Sequence, residues 1–264
     1  MIVVDGAVDL PEEAVAWADV VAVPARVRVD GQPFEGLPAA FWRALRDGRS
    51  VATTAPSVTD LATAYGCGEP VVAVHVSGDL SRTVARAREA AGRAVGRVTV
   101  VDSGSLSVGA GLSALEARRL VAASAASASF EDVRRALEHL PERVHTFAAV
   151  EHPTWLVRSG RAGFVTGHLS TRRPVLLAVH GRPVVLDQPR DRRGVVKLLA
   201  RRVHDHGLAD AAVWALGHAD AGDIEDVTGV LTAMFGRPPA FVVPVGAAVG
   251  AHLGPDSLVL GVMR

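Results

Sequence analysis

Two short segments rich in hydroxyl side chains contain the residues best suited to bind a ligand. The first hydroxyl segment, residues 53–57 (TTAPS), runs directly into a predicted helix. The second hydroxyl segment, residues 75–83 (HVSGDLSRT), leaves a predicted strand, turns at Gly78 and begins another helix. Ligands of open α/β sheets bind outside the carboxyl ends of the strands. Hydroxyl groups combined with N–H groups at helix starts suit a carboxylate or a phosphate, and the pattern does not choose between the two. Helix capping by Thr54 or Ser57, with proline at the helix start, is the alternative interpretation of the first segment.

Three other segments contain residues that could bind an anion. Arg161 follows a Ser-Gly turn in residues 155–161 (WLVRSGR) and is either an anion clamp or a solvated helix end. His252 lies in residues 250–255 (GAHLGP), which we interpret as a loop between two strands. The glycine-rich residues 104–111 (GSLSVGAG) could form a phosphate cradle, but a helix start packed closely against a sheet is the favoured interpretation.

The composition and the missing motifs exclude several classes of protein. The sequence has no GxxxxGK[ST], no GxGxxG after the first strand, no GxSxG and no HExxH. A single cysteine, Cys67, excludes a disulfide framework and a cysteine-based zinc cluster. The 28 basic and 28 acidic side chains balance, which gives no electrostatic case for nucleic-acid binding. No apolar stretch approaches the roughly 20 residues of a membrane span, and no secretory signal is apparent, so we expect a soluble cytoplasmic protein.

The elements that would position these residues form two patterns along the chain. In residues 1–147, short apolar strands alternate with helical periodicity, which predicts a doubly wound parallel sheet. The predicted strands are residues 2–4, 20–23, 71–76 and 98–101, and the predicted helices are residues 38–46, 58–65, 81–95, 107–126 and 130–140, the last with Ser129 as N-cap. In residues 148–264 the pattern predicts a mixed α/β domain that packs tightly on the first, because no flexible linker separates them. Its predicted strands are residues 146–150, 174–179, 211–216, 240–244 and 258–262, with a hairpin at 179–186 and helices at 193–205 and 223–235.

The segments, taken in order, resemble the DegV family. The family's Asp-Ser-Thr-x-Asp-Leu-Pro is similar to residues 5–11, its Thr-Ser-Gln-Pro-Ser to the first hydroxyl segment and its His-Ile-Ser-Ser-x-Leu-Ser-Gly-Thr to the second. Its Val-Ile-Asp-Ser and Ser-x-Gly-x-Gly resemble residues 100–111, and its Leu-x-x-Gly-Gly-Arg resembles residues 156–161. Its Lys-Pro-Ile-Leu and Gly-x-His-x-Gly-Pro resemble residues 173–176 and 250–255. Together these matches cover the whole chain in the family's order.

The resemblance implies a fold, a ligand and a partner. It implies two α/β domains with a long-chain fatty acid held between and within them, and no cofactor or metal. It implies that this non-catalytic protein presents the fatty-acid carboxylate to a separate ATP-dependent kinase, which forms an acyl phosphate for phospholipid synthesis. The implied carboxylate-binding residues are Thr53, Thr54, Ser77 and Gly78, and the residues implied near the head group or facing the kinase are Ser81, Arg161, Arg190 and His252.

The sequence departs from the family pattern at places that bear on the head group. Gly78 replaces the second serine of the Ser-Ser pair, Ala55 replaces glutamine, and Gly6-Ala7 replaces Ser-Thr. Two other functions therefore stay open. One is an enzyme, a phosphotransferase or hydrolase, with His252 or Asp102 as acid or base; the absence of a nucleotide motif favours the carrier over it. The other is a regulatory protein that has lost lipid binding, which the glycine at position 78 suggests.

Overall fold

The computed structural model describes residues 1–36, 38–66, 70–127, 130–208, 210 and 213–264. The strands are β1 (Ile2–Asp5), β2 (Val20–Val23), β3 (Arg26–Val29), β4 (Gln32–Pro33), β5 (Val51–Thr54), β6 (Val71–His75), β7 (Val98–Asp102), β8 (Val144–Val150), β9 (Val175–His180), β10 (Arg182–Asp187), β11 (Val213–His218), β12 (Phe241–Pro244) and β13 (Leu258–Met263). The α-helices are α1 (Glu12–Val15), α2 (Pro38–Arg46), α3 (Val58–Tyr65), α4 (Thr83–Ala91), α5 (Ser107–Ser127), α6 (Phe130–Glu138), α7 (Leu140–Arg143), α8 (Thr154–Arg158), α9 (Arg192–Asp205), α10 (Ile224–Phe235) and α11 (Ala247–Leu253).

The first half of the chain contains a parallel four-stranded sheet in the order β2-β1-β6-β7. Helices α3 and α4 cover one face through a cluster that includes Leu61, Tyr65 and Ala87. Helices α5 and α6 cover the other face through residues such as Ala114 and Val133. Strands buried on both faces read as continuous apolar runs, which is why the sequence identified them. The predicted doubly wound sheet is confirmed.

The second half contains a mixed six-stranded sheet in the order β10-β9-β8-β13-β11-β12, in which only β11 and β12 run parallel. Helices α9 and α10 cover one face, and the predicted mixed α/β fold is confirmed. The domain boundary predicted at residue 147 falls inside β8, and the division into two domains stays a prediction. The proposed cap Ser129 and the first two residues of the predicted strand 211–216 lie outside the described residues.

Helix α5 packs against both sheets, so the two halves share one helix, whose first half is buried. Its start is close to the second sheet: a Cβ on Gly109 would lie 2.0 Å from Thr146 Oγ1, and a Cβ on Gly261 would lie 3.0 Å from the backbone of Gly109. Any side chain at Gly109 would therefore push the helix off the sheet. This confirms the favoured interpretation of the glycine-rich residues 104–111 as a closely packed helix start.

A small antiparallel sheet, in the order β4-β3-β5, was not predicted. Strand β3 (RVRV) exposes its arginines, and β5 (VATT) alternates between half-buried and exposed residues. Such short, mostly exposed strands carry too few apolar residues to be recognised from sequence. Strand β5 contains Thr53 and Thr54, so this small sheet positions the first hydroxyl segment.

Candidate functional site

A largely apolar cavity lies where the small sheet, the ends of β1 and β6 and the six-stranded sheet meet. Most of its wall consists of alanine, valine, leucine and proline side chains, among them Leu106, Ala148 and Leu177. The polar part of the wall consists of Asp5, Thr53, Thr54, Ser81, Thr83, Arg161 and His252. An apolar interior with a few polar groups that converge in one region is the usual form of a small-molecule site.

The side chains of Thr53 and His252 are in contact in the polar part of the wall. Thr53 Oγ1 lies 2.9 Å from His252 Nε2. His252 Nδ1 is buried and has no hydrogen-bond partner among the described residues. Burial, and then the positive charge of Arg161, lower the pKa of His252 to about 4. The imidazole is therefore neutral near pH 7 and has a single N–H.

His252 lies in the last turn of α11, and the loop predicted at residues 250–255 is wrong for most of its length. A Cβ on Gly250 would lie 2.4 Å from the ring of Trp42, so this glycine allows a helix to pack against an indole. Gly254, with φ +77°, ends the helix. The glycines that suggested a loop are thus explained by close packing and by a helix end.

The rest of the first hydroxyl segment is fixed by capping and by an arginine. Ser57 forms a capping box with Asp60: Ser57 Oγ accepts the N–H of Asp60 at 3.1 Å, and Asp60 Oδ2 accepts the N–H of Ser57 at 3.0 Å. Arg86 Nη1 on α4 donates to the carbonyls of Ala55 at 2.7 Å and of Pro56 at 3.0 Å. The capping interpretation is confirmed for Ser57, and Thr53 and Thr54 are left facing the cavity.

The structure places Ser77 and Gly78 away from the cavity wall. Ser77 Oγ donates to the carbonyl of Gly181 at 3.4 Å and accepts the N–H of Asp79 at 3.2 Å. The N–H of Gly78 donates to both carboxylate oxygens of Asp102, each at 3.2 Å. A Cβ at position 78 would lie 2.8 Å from Asp102 Oδ2. In this segment the polar groups connect the strand ends to the β9–β10 turn.

Ser81 and Thr83 form a hydroxyl pair that lines the cavity. Their oxygens lie 2.8 Å apart, and Ser81 Oγ also accepts the N–H of Thr83 at 3.2 Å. Each hydroxyl group has one hydrogen, so only one of the two is used between them and the other is available to a ligand. Thr83 is the last residue of the second hydroxyl segment, but it is not among the site residues that the sequence predicts. Its position at a helix start, two residues after a serine, is the signal that could have identified it.

An open groove of about 740 Å³ adjoins the polar part of the cavity and shares Thr53, Thr54, Ser81 and Arg161 with it. Arg161 lies against the ring of Phe164, with 5.4 Å between the guanidinium carbon and the ring centroid. The eight predicted site residues thus fall into three groups. Thr53, Thr54, Ser81, Arg161 and His252 meet at the cavity; Gly78 lines only the groove; Ser77 and the exposed Arg190 line neither.

A buried polar network below the cavity was missed from the sequence. Asp5 accepts the N–H groups of Ala7 at 2.8 Å and Val76 at 3.0 Å, and lies 3.0 Å from His75 Nδ1. His75 Nε2 lies 2.9 Å from the hydroxyl of Tyr65, whose pKa is raised by burial and by Asp5. This network joins the ends of β1 and β6. Asp5 and His75 lay in quoted motifs but Tyr65 did not, and no local pattern shows that strand pairing brings the three together.

Two further features are absent from the described ranges. These residues contain no group of three or more His, Cys, Asp or Glu side chains that could hold a metal ion. The same part of the chain has no helix that is long and apolar enough to cross a membrane.

The fold and its cavity define an α/β protein with a largely apolar cavity between its sheets. A DegV family protein from Thermus thermophilus, described as binding fatty acid, superposes with a TM-score of 0.84 at 25% identity over 100% of this chain and 99% of that one. A stearic-acid-binding protein from Eubacterium ventriosum has the same fold, with a TM-score of 0.87 at 21% identity over 100% and 97% of the two chains.

Sequence comparison identifies the family directly. The model of the DegV family of uncharacterised proteins matches residues 1–264. A DegV domain-containing protein of Deinococcus radiodurans is 33% identical over 81% of each chain. One of Mycobacterium tuberculosis is 29% identical over 96% of this chain and 93% of the relative. The chain belongs to the DegV family, as the resemblance in its sequence indicated.

Proposed function

We propose that this protein binds a long-chain fatty acid, with the alkyl chain in the apolar cavity and the carboxylate against Thr53, Thr54, Ser81, Arg161 and His252. The observation that carries the proposal is the cavity wall, which is apolar over most of its area and polar where it adjoins the outer groove. The similar protein from Thermus thermophilus, a fatty-acid-binding member of the same family, supports the same ligand class.

The alkyl chain would supply most of the affinity. Burying one methylene contributes about 0.8 kcal/mol, so a chain of about sixteen carbons contributes on the order of 10 kcal/mol before the costs of association. The head group would mainly fix the orientation and the depth of the ligand. Because its described wall is mostly aliphatic and includes no phenylalanine, tyrosine or tryptophan, the cavity suits an alkyl chain better than a sugar or a nucleotide base.

The Thr53–His252 contact suggests how the carboxylate would be bound. If His252 carries its hydrogen on Nε2, this N–H donates a hydrogen bond to Thr53 Oγ1, and the hydroxyl hydrogen of Thr53 is free to donate to the ligand. This tautomer leaves Nδ1 as the buried atom without a partner, and an unsatisfied acceptor is tolerated better than an unsatisfied donor. Arg161 would add a positive charge at the same end of the cavity.

We propose further that the carboxylate is presented to an ATP-dependent kinase, which converts it to an acyl phosphate in the cytoplasm. The polar end of the cavity faces an open groove, where a partner's phosphoryl donor could approach. Neutral hydroxyl donors keep a carboxylate more nucleophilic than a bidentate arginine pair would. In this arrangement Gly78 and the exposed Arg190 would face the partner, while Ser77 would support the loop. The protein itself would be non-catalytic, since Asp102 is occupied by backbone N–H groups.

Native mass spectrometry of the purified protein, followed by phosphoryl transfer, tests both steps. We expect a bound species of fatty-acid mass, replaceable by added palmitic acid. Addition of a bacterial fatty acid kinase and ATP should then give acyl phosphate, trapped by hydroxylamine as the hydroxamate. A protein that binds no fatty acid, even when loaded, would contradict the ligand assignment. ATP consumption by this protein alone would instead support the enzyme alternative.

A further inference from the structure

The two hydroxyl segments lie on different sheets. Thr53 and Thr54 end β5, which pairs with β3 in the small antiparallel sheet. Ser81 and Thr83 follow β6, which lies between β1 and β7 in the parallel sheet. The ladder of one sheet therefore does not set the distance between the hydroxyl groups of the two segments. Other contacts must do so.

Arg86 makes a direct contact from one segment to the other. It lies on α4, one turn after Thr83, so its helix begins in the second hydroxyl segment. Its Nη1 donates to the carbonyls of Ala55 and Pro56, the two residues that follow Thr54. Both bonds have a charged donor, and such hydrogen bonds are stronger than those between neutral groups.

The backbone of the first hydroxyl segment needs a partner of this kind. Pro56 has no N–H, and beyond the end of β5 the chain leaves the sheet ladder before α3 begins. The carbonyls of Ala55 and Pro56 therefore require donor partners from elsewhere in the fold. On the opposite side the segment is held by the Thr53–His252 contact, which comes from α11.

We infer that Arg86 is a positioning residue that sets the distance between the Thr53–Thr54 hydroxyls and the Ser81–Thr83 pair, and so fixes the polar end of the cavity for the ligand carboxylate. This inference rests on the proposed fatty-acid function. Arg86 need not touch the ligand, because its role follows from the two carbonyls that it holds. The role requires a donor at this position that can reach both carbonyls at once.

The test compares Arg86→Gln with Arg88→Gln. Arg88 is exposed on the same helix and faces the same groove, and no bond from it to the first hydroxyl segment occurs in the described structure. Hydrogen exchange followed by mass spectrometry reports the segment without any ligand. We expect the amides of residues 53–57 to exchange at least about tenfold faster in Arg86→Gln and at the native rate in Arg88→Gln. Arg86→Lys keeps the positive charge but lacks the planar guanidinium group, so its exchange rate should lie between those of the two glutamine variants.

The carboxyl carbon of bound [1-¹³C]palmitic acid gives the second readout. We expect its NMR shift to move toward the value of the free carboxylate in Arg86→Gln, while Arg88→Gln keeps the native shift and both variants keep the native melting temperature to within a few degrees. Unchanged exchange in Arg86→Gln would overturn the inference, as would faster exchange with an unchanged carboxyl shift. If the native protein holds no palmitic acid, the proposed function fails, and with it the positioning role; the exchange experiment then reports the contact alone.

Discussion

Thr53 and Ser77 are hydroxyl residues at the carboxyl ends of two strands, and the structure uses them in different ways. Ser77, which follows a strand of the parallel sheet, is buried and bonds to Gly181 and Asp79. Its bond to Gly181 links the two halves of the chain. Thr53, on the small sheet, bonds through its side chain to His252 and faces the cavity. At the end of the parallel sheet, the polar side chain bonds to neighbouring protein atoms. At the end of the small sheet, the polar side chains face the cavity, where a ligand can reach them.

The largest expected effect is a pH dependence of the free energy of unfolding, which comes from His252, the hydrogen-bond partner of Thr53. The unfolded chain protonates His252 near pH 6.5, whereas burial and Arg161 lower its folded pKa to about 4. The unfolded state therefore binds more protons between these values, and the free energy of unfolding falls as pH decreases from 6.5 to 4, by up to about 3 kcal/mol. His252→Gln should lack this loss.

Urea denaturation of both proteins at pH 4.5 and pH 7 measures that difference. Asp9, whose pKa is raised to about 6 by burial, acts with the opposite sign: its stabilising contribution is present at low pH and is lost as pH rises through 6. Both proteins contain Asp9, so the comparison between them isolates His252. Equal pH dependence in the two proteins would contradict the lowered pKa.

Thr53→Val removes the hydroxyl group and keeps the shape of the side chain. If this hydroxyl donates to the ligand carboxylate, the affinity for palmitic acid should fall by about 2 kcal/mol, or roughly thirtyfold. Competitive displacement of a fluorescent fatty acid measures this change. An affinity within twofold of the native value would remove Thr53 from the head-group site.

Gly78→Ser restores the serine of the family pattern at the segment where Ser77 is structural. Its Cβ would lie 2.8 Å from Asp102 Oδ2, and the Asp102 carboxylate is held by the N–H groups of Gly78 and Gly104. We expect a loss of about 1–2 kcal/mol in the free energy of unfolding and no gain in fatty-acid affinity. Gly229→Ser, where a Cβ meets nothing within 4 Å, is the control. Tighter binding by Gly78→Ser would show that position 78 does reach the head group.

Ser77→Ala should have the smallest effect and completes the comparison with Thr53. Loss of the bonds to Gly181 and Asp79 is expected to lower the free energy of unfolding by about 1 kcal/mol. The affinity for palmitic acid should change by less than about threefold, since a bond outside the cavity acts only indirectly. A drop as large as that of Thr53→Val would mean that the two segments bind the ligand equally.

The sequence predicts the parts of this fold that have a strong apolar pattern. The strands β1, β2, β6 and β7 are continuous apolar runs, and helix α9 buries one face through Val195, Leu199 and Val203. The small sheet was missed because its strands are short and half exposed. Helix α11 was missed because Gly250 and Gly254 look like loop residues until Trp42 and the helix end are seen.

The candidate site was predicted less completely for a related reason. Sequence order places Ser77 and Gly78 beside Ser81, but side-chain direction after a strand end depends on the tertiary neighbours. Only the folded chain shows that the hydroxyl of Ser77 donates to the carbonyl of Gly181 and that the N–H of Gly78 donates to Asp102. The role of Arg86 depends on a contact with residues 55 and 56 on another element, which no local pattern encodes.

The position of β13 has a consequence for how the chain is synthesised. This strand lies in the middle of the six-stranded sheet, between β8 and β11, and also packs on α5. Strand β8 is made roughly a hundred residues earlier, and such distant pairing slows folding. Until β13 is translated, one edge of β8 and a face of α5 stay uncovered on the ribosome. The nascent chain should therefore depend on chaperones for longer than its native stability would indicate.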